Sequence, residues 1–271
     1  MPSTEIIILA QGTQERLGHH LGPKQLLALP RCGNIPIMCR TTRQAWQRSD
    51  WWPTIVTWPH VRAGLSWSAP DGERKTITPA YVSLPEPGNS SLKGIARYLE
   101  QRTQSGRHYD HTIVLLGDVV YSWACLDAIW RQSKTCGFVG TSDLSSGSGE
   151  LWGVAWSREH ELSMIADLQD AMLRHPPFED TYQPGQLRRW ITGWRRGDIV
   201  DHVAKATIAM RYAAVDDYTH DIDRPSDLFL LPALSVSAAA DDARHGVSWE
   251  GVTWDGLATA DLPSTRPQED L

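Results

Sequence analysis

The sequence predicts an α/β fold, a three-layer α/β/α sandwich built on a mostly parallel central sheet. Residues 6–9 and 113–116 are each four consecutive aliphatics, the pattern of strands buried on both faces. Helical patterns alternate with such runs, as the βα units of a parallel sheet require. Polar clusters follow the strands: Gly12/Arg16/Lys24, then Gly117-Asp118, then Asp221-Ile222-Asp223-Arg224-Pro225. Open α/β sheets hold their ligands at the carboxyl ends of strands, where these clusters fall.

The first strand, residues 6–9, leaves through Ala10, Gln11 and Gly12, and the chain then meets Arg16 and Pro23-Lys24. Small residues and cations in a loop after a first parallel strand suit an anionic ligand. Solvated surface charge is the competing reading of Arg16 and Lys24. Residues 35–48 place Ile35, Met38, Ala45 and Trp46 on a helical face, after the turn residues Gly33 and Asn34. Residues 54–58 read as a second strand, stopped by Pro59. Residues 60–80 lack a period and read as loop, with a short strand over 81–84. Asn89 or Ser90 suits the cap of a helix whose face carries Leu92, Ile95, Ala96 and Leu99.

The second aliphatic strand ends at Gly117-Asp118, and Ser122 caps a helix to about residue 132. Strands are expected over 137–141 and 151–156, around a flexible loop at 142–149. Simple alternation in 151–156 would put Trp152 and Trp156 on one face. Helices follow at about 158–173 and 183–194, and a strand at 212–215. Pro225 then opens a final helix.

One domain over residues 1–232 is expected, with a tail over 233–271 rich in Ala, Ser, Asp and Pro. The tail repeats VSWEG (247–251) as VTWDG (252–256), which suits a small hairpin or docked tryptophans, although poor order is the stronger expectation.

A chain of 271 residues with net charge −6 is large enough for an extended core and too acidic for a general nucleic-acid or membrane-surface binder. No apolar run reaches bilayer length and the start MPSTE lacks a signal-peptide pattern, so a cytoplasmic location is expected. Cys32, Cys39, Cys125 and Cys136 form no CxxC unit and read as buried thiols. The thirteen tryptophans read mainly as core; an aromatic pocket from Trp152, Trp156, Trp190 and Trp194 is the alternative.

The three clusters together supply cations for phosphates and carboxylates for a hard divalent metal, the needs of phosphoryl or nucleotidyl transfer. The set IIILAQGTQERLG…GPKQLL, then IVLLGDV, then HDIDRPSDL resembles the nucleotidyltransferases of the GT-A-like, MobA-like and sugar-phosphate nucleotidyltransferase type. The resemblance spans about residues 5–231 and implies a Rossmann-like nucleotide-diphospho-sugar transferase fold. It also implies a Mg²⁺-dependent enzyme that joins the NMP moiety of an NTP to a small phosphorylated acceptor.

Carried over residue by residue, the resemblance assigns the backbone of Ala10, Gln11, Gly12 and Thr13 to the nucleotide and Arg16 to the departing pyrophosphate. Lys24 goes to the α-phosphate or the acceptor phosphate, and Asn89 and Ser90 to the base or ribose. Asp118 and Asp223 would hold Mg²⁺, with Asp221 as the nearby alternative to Asp223. A homo-oligomer is also compatible with the resemblance. Gln14 stands where the family has a second loop glycine, Glu15 adds an anion beside it, and Arg224 and Ser226 replace a usual Thr and Glu. A GT-A glycosyltransferase ranks second, lacking a D-x-D here, and a non-catalytic nucleotide-binding relative third.

Overall fold

The computed structural model describes residues 3–10, 23–49, 53–57, 66–68, 74–76, 81–82, 91–142, 150–166, 194–195, 198–199, 211–222 and 224–254. The first half runs β1 (Thr4–Ala10), β2 (Ala28–Leu29), β3 (Ile35–Pro36), α1 (Ile37–Ser49), β4 (Thr54–Thr57), β5 (Ser66–Ser68), β6 (Arg74–Thr76), β7 (Tyr81–Val82) and α2 (Ser91–Gln104). There follow β8 (His111–Leu116), β9 (Val119–Val120), α3 (Trp123–Gln132), β10 (Cys136–Gly140), β11 (Leu151–Ser157), β12 (Trp194–Arg195), β13 (Asp198–Ile199), β14 (Arg211–Ala214), β15 (His220–Asp221), α4 (Leu231–Arg244) and β16 (Thr253–Trp254).

Among the described residues seven strands make the central sheet, in the order β14-β10-β11-β8-β1-β4-β7. β8, β1, β4 and β7 pair in parallel, as do β10 and β14, while β11 runs antiparallel to both its neighbours. The expected mostly parallel sheet is therefore present, with one reversed strand. Both faces of β1 are buried: Ile6, Ile8 and Ala10 join one apolar cluster, and Ile7 and Leu9 the other. α1, α3 and α4 supply the first cluster with Met38, Leu126 and Leu234, while Ile95 and Leu99 of α2 and Met164 of the helical segment 161–166 supply the second. Those are the three layers.

At the amino ends of the strands Arg102 of α2 lies buried between Glu5 and Glu161, and Tyr98 also donates to Glu5. This ionic cluster ties the second helical layer to β1, far along the strand from the carboxyl-end clusters.

Four expectations need correction. Residues 66–68 and 74–76, read as loop, are strands of a small sheet ordered β16-β5-β6. The expected boundary after 232 falls inside α4, a 14-residue helix that buries Leu234, Ser235, Ala238, Asp241 and Asp242. The echo at 247–256 is no hairpin of its own: Val252 N–H bonds Trp249 O across a turn, and β16 pairs with β5. Finally, Trp152 and Trp156 lie on opposite faces. Gly140 is registered with Leu151 and Val139 with Gly153, so a bulge at Trp152 switches the phase of β11. Trp152 joins the first cluster and Trp156 the second, which makes both core residues.

Pro225 opens a 3-10 helix, Pro225–Phe229, directly before α4. Of the helix expected over 158–173, residues 158–160 are 3-10 and 161–166 helical; the rest lies outside the described residues, as does most of 183–194. Among the described residues no helix is long and apolar enough to cross a membrane.

Candidate active site

β1 and β8 end side by side, with Leu9 registered against Leu116 and Gly117 N–H bonded to Leu9 O at 2.8 Å. A Cβ on Gly117 would stand 3.1 Å from Leu9 O and 3.2 Å from the Ala10 Cβ. Glycine thus lets the end of β8 press onto β1 and delivers Asp118 to the head of the sheet. The chain then turns into β9, which pairs antiparallel with β15 so that Asp221 faces Val119, and Ile222 N–H bonds Asp118 O at 3.3 Å. Two carboxylates distant in sequence are thereby held side by side.

Lys24 reaches the same point from the third segment. Pro23 precedes a 3-10 turn, Lys24–Leu26, whose three residues are buried, and the β2-β3 ladder and the Ile37 N–H to Leu27 O bond lock it to the start of α1. The Lys24 ammonium lies 2.5 Å from Asp118 Oδ2 and 3.9 Å from Asp221 Oδ1. The three side chains are only 6%, 13% and 14% exposed, so these charges act on one another with little screening.

A bracing layer lies beneath. The Tyr121 hydroxyl accepts from Leu116 N–H at 2.8 Å and donates to the Trp152 carbonyl at 2.6 Å. Burial pushes this phenol well above its ordinary pKa, so it stays protonated and able to do both. The Tyr121 carbonyl accepts from Arg40 Nη1 at 2.7 Å. Arg40 also grips Asp242 through Nε at 2.8 Å and Nη2 at 2.7 Å, and the same carboxylate accepts the indole N–H groups of Trp123 and Trp249 at 2.9 and 2.8 Å. Next to Tyr121, Ser122 caps α3 by accepting from Cys125 N–H and donates its own proton to Asp217. The C-terminal helix is thus wired to the turn that follows Asp118.

Of the residues expected at the site, Ala10, Lys24 and Asp118 are described, and Lys24 and Asp118 are in direct contact. Asp221, the alternative to Asp223, joins them. Gln11, Gly12, Thr13, Arg16, Asn89, Ser90 and Asp223 lie outside the described residues, as do Trp190 and the side chain of Trp194. Sequence reading missed Tyr121, Arg40 and Asp242. The spacing Leu234/Ser235, Ala238, Asp241/Asp242 is a helical face that could have exposed the role of α4.

No group of three or more His, Cys, Asp or Glu side chains forms a metal cage among the described residues. Asp118 and Asp221 do present the hard oxygen donors that Mg²⁺ takes, and the Lys24 ammonium already holds a cation's place between them. The donor chemistry therefore fits Mg²⁺, bound by one or two carboxylates and completed by other oxygens.

No family model matches the chain. Among curated proteins it is 38% identical over 66 residues to an Emericella nidulans protein described as a glucan 1,3-beta-glucosidase. That match covers 24% of this chain and only 15% of that relative's length, too little to characterise either whole protein. Solved structures align far more widely. A Bacillus anthracis protein assigned as a glucose-1-phosphate thymidylyltransferase, solved with sucrose, aligns at TM-score 0.57 and 14% identity over 86% of this chain and 95% of its own. A Mycobacterium tuberculosis H37Rv protein aligns at 0.51 and 15%, covering 86% and 98%, and a 4-diphosphocytidyl-2C-methyl-D-erythritol synthase at 0.50 and 10%, covering 86% and 99%. The chain has the nucleotide-diphospho-sugar transferase fold. In that fold the carboxyl ends of β1 and β8 form the head of the sheet, where Lys24, Asp118 and Asp221 meet.

Proposed function

We propose that this protein is a Mg²⁺-dependent nucleotidyltransferase that joins the NMP moiety of an NTP to a small phosphorylated acceptor, a sugar phosphate or similar, and releases pyrophosphate. One observation carries the reading: a shielded lysine ammonium held between Asp118, just past the carboxyl end of central strand β8, and Asp221 on the β15 strand that pairs beside it. The fold, shared with a solved protein assigned as a glucose-1-phosphate thymidylyltransferase and with a 4-diphosphocytidyl-2C-methyl-D-erythritol synthase, supports it.

An acceptor phosphate oxygen forms a bond to the α-phosphorus while the bond from that phosphorus to the β-bridging oxygen breaks, and pyrophosphate departs with the electron pair. No side-chain nucleophile is required. Lys24 turns to the α-phosphate and offsets the charge that grows there. By the family resemblance Arg16 would serve the leaving pyrophosphate, the backbone from Ala10 to Thr13 the nucleotide, and Asn89 and Ser90 its base or ribose. Asp118 would be the principal Mg²⁺ ligand, with Asp221 or Asp223 as the second carboxylate, and a bound ion would supply charge neutralisation for the phosphate oxygens.

The test is a pyrophosphate-release screen of four NTPs against phosphorylated sugars and alcohols. Release from at least one pair, abolished by EDTA and by Asp118→Asn, is expected. Turnover of a nucleotide-sugar with none of any NTP would replace this reading with glycosyl transfer.

A further inference from the structure

The cation between Asp118 and Asp221 is the protein's own. A lysine side chain that is 6% exposed brings its ammonium out of most of its hydration, and what offsets that cost here includes two aspartates whose side chains are 13% and 14% exposed. A divalent ion approaching Asp118 would meet the Lys24 charge at 2.5 Å from the oxygen it seeks. At such separations, with little water between, two like charges are not accommodated together. The lysine stem is long and rotatable, however, and its ammonium suits a phosphate as readily as a carboxylate. The backbone that carries it is the fixed part, since the 3-10 turn is buried and pinned to α1.

We propose that Lys24 is a displaceable counter-ion: its ammonium and a divalent cation compete for the Asp118–Asp221 pair, and a polyphosphate opens the pair to metal by drawing Lys24 away. The identity of the polyphosphate as an NTP rests on the nucleotidyltransferase reading; the competition does not. By linkage, metal and polyphosphate then raise each other's affinity by one common factor, beyond their direct chelation. The resting protein holds little free metal, and metal enters with the nucleotide.

The test titrates Mn²⁺, read by electron paramagnetic resonance, into the full-length wild type and into Lys24→Met and Lys24→Gln without nucleotide. Both variants are expected to bind Mn²⁺ at least about tenfold more tightly than wild type, within the usual span of coupling between sites. Affinity equal to or weaker than wild type overturns the proposal. A second measurement needs no variant: the rate at which acetic anhydride modifies Lys24 in the wild type, read by peptide mass spectrometry. Excess Mn²⁺ should raise that rate several-fold by releasing the amine, and an unchanged rate overturns the proposal. Failure of every NTP to release pyrophosphate, with the Mn²⁺ results as expected, removes the nucleotidyltransferase reading and leaves the competition standing.

Discussion

Tyr121 donates its phenolic proton to the carbonyl of Trp152 at 2.6 Å, at the point where the bulge in β11 ends its pairing with β8. The last registered pair is Gly153 with Leu115, and the next N–H, that of Leu116, bonds the Tyr121 oxygen instead. One buried hydroxyl thus completes the ladder two residues before Asp118. Tyr121→Phe leaves that N–H and that carbonyl unpaired, and a loss of about 1–3 kcal/mol of stability is expected. Urea unfolding measures it. Turnover should fall as well, because the end of β8 sets the position of Asp118.

Arg40 and Asp242 are 1% and 0% exposed at the side chain, and each supplies the opposite charge that offsets the other's burial. Burial lowers the Arg40 pKa, but the bonds from Asp242 outweigh it and leave the guanidinium firmly charged. Removing either partner strands a buried charge, so Asp242→Ala or Arg40→Ala is expected to cost roughly 3–5 kcal/mol in denaturant unfolding. The double variant Arg40→Ala with Asp242→Ala should cost clearly less than the two single losses added together. Strict additivity would mean that the pair is not coupled.

The strands that build the head of the sheet were legible in sequence because their burial on both faces leaves an unbroken aliphatic signature, as in residues 6–9 and 113–116. Gly117-Asp118 was legible for the same reason, being the first polar step after such a run. The bulge at Trp152 was not, since it is a property of how β11 pairs with β10 and β8 rather than of its own residues. Neither was α4: its Ala and Ser residues look like a polar tail, while the partners that bury Asp242 are Arg40, Trp123 and Trp249, two of them far along the chain. β5 and β6 are three residues each, too short for alternation to show.

Acid should loosen the C-terminal helix first. Burial raises the pKa of Asp241, but the Tyr218 hydroxyl, the Trp123 N–H and Arg244 lower it further, so it lies below its ordinary 3.8 in the folded protein. A carboxyl depressed on folding contributes stability that is complete above its unfolded value and lost as pH falls through the folded one. Tryptophan fluorescence, in which Trp123 and Trp249 at the neighbouring Asp242 are two of thirteen emitters, is expected to change below roughly pH 4, and Asp241→Asn should reduce that pH dependence. A transition unaltered by Asp241→Asn would place the acid-sensitive group elsewhere.

The last prediction concerns which aspartate partners Asp118. Asp221 sits on β15, where pairing with β9 fixes it against Val119, next to Asp118, and it lies 3.9 Å from the Lys24 ammonium. Asp223 is two residues on and lies outside the described residues, so both can serve the same ion by sequence position, and Asp221 is held there by a strand ladder. A carboxylate fixed before the ion arrives loses less conformational freedom on binding it. Asp118→Asn and Asp221→Asn should therefore each lower turnover by roughly 10²-fold or more, the scale of losing a principal electrostatic stabiliser. Both should also weaken the Mn²⁺ affinity of the Lys24→Met background, where the competing ammonium is gone. Asp223→Asn in that background is expected to bind Mn²⁺ within a few-fold of its parent. The reverse order, with Asp223→Asn weakening Mn²⁺ and Asp221→Asn leaving it unchanged, would confine Asp221 to holding Lys24 and transfer the metal to Asp223.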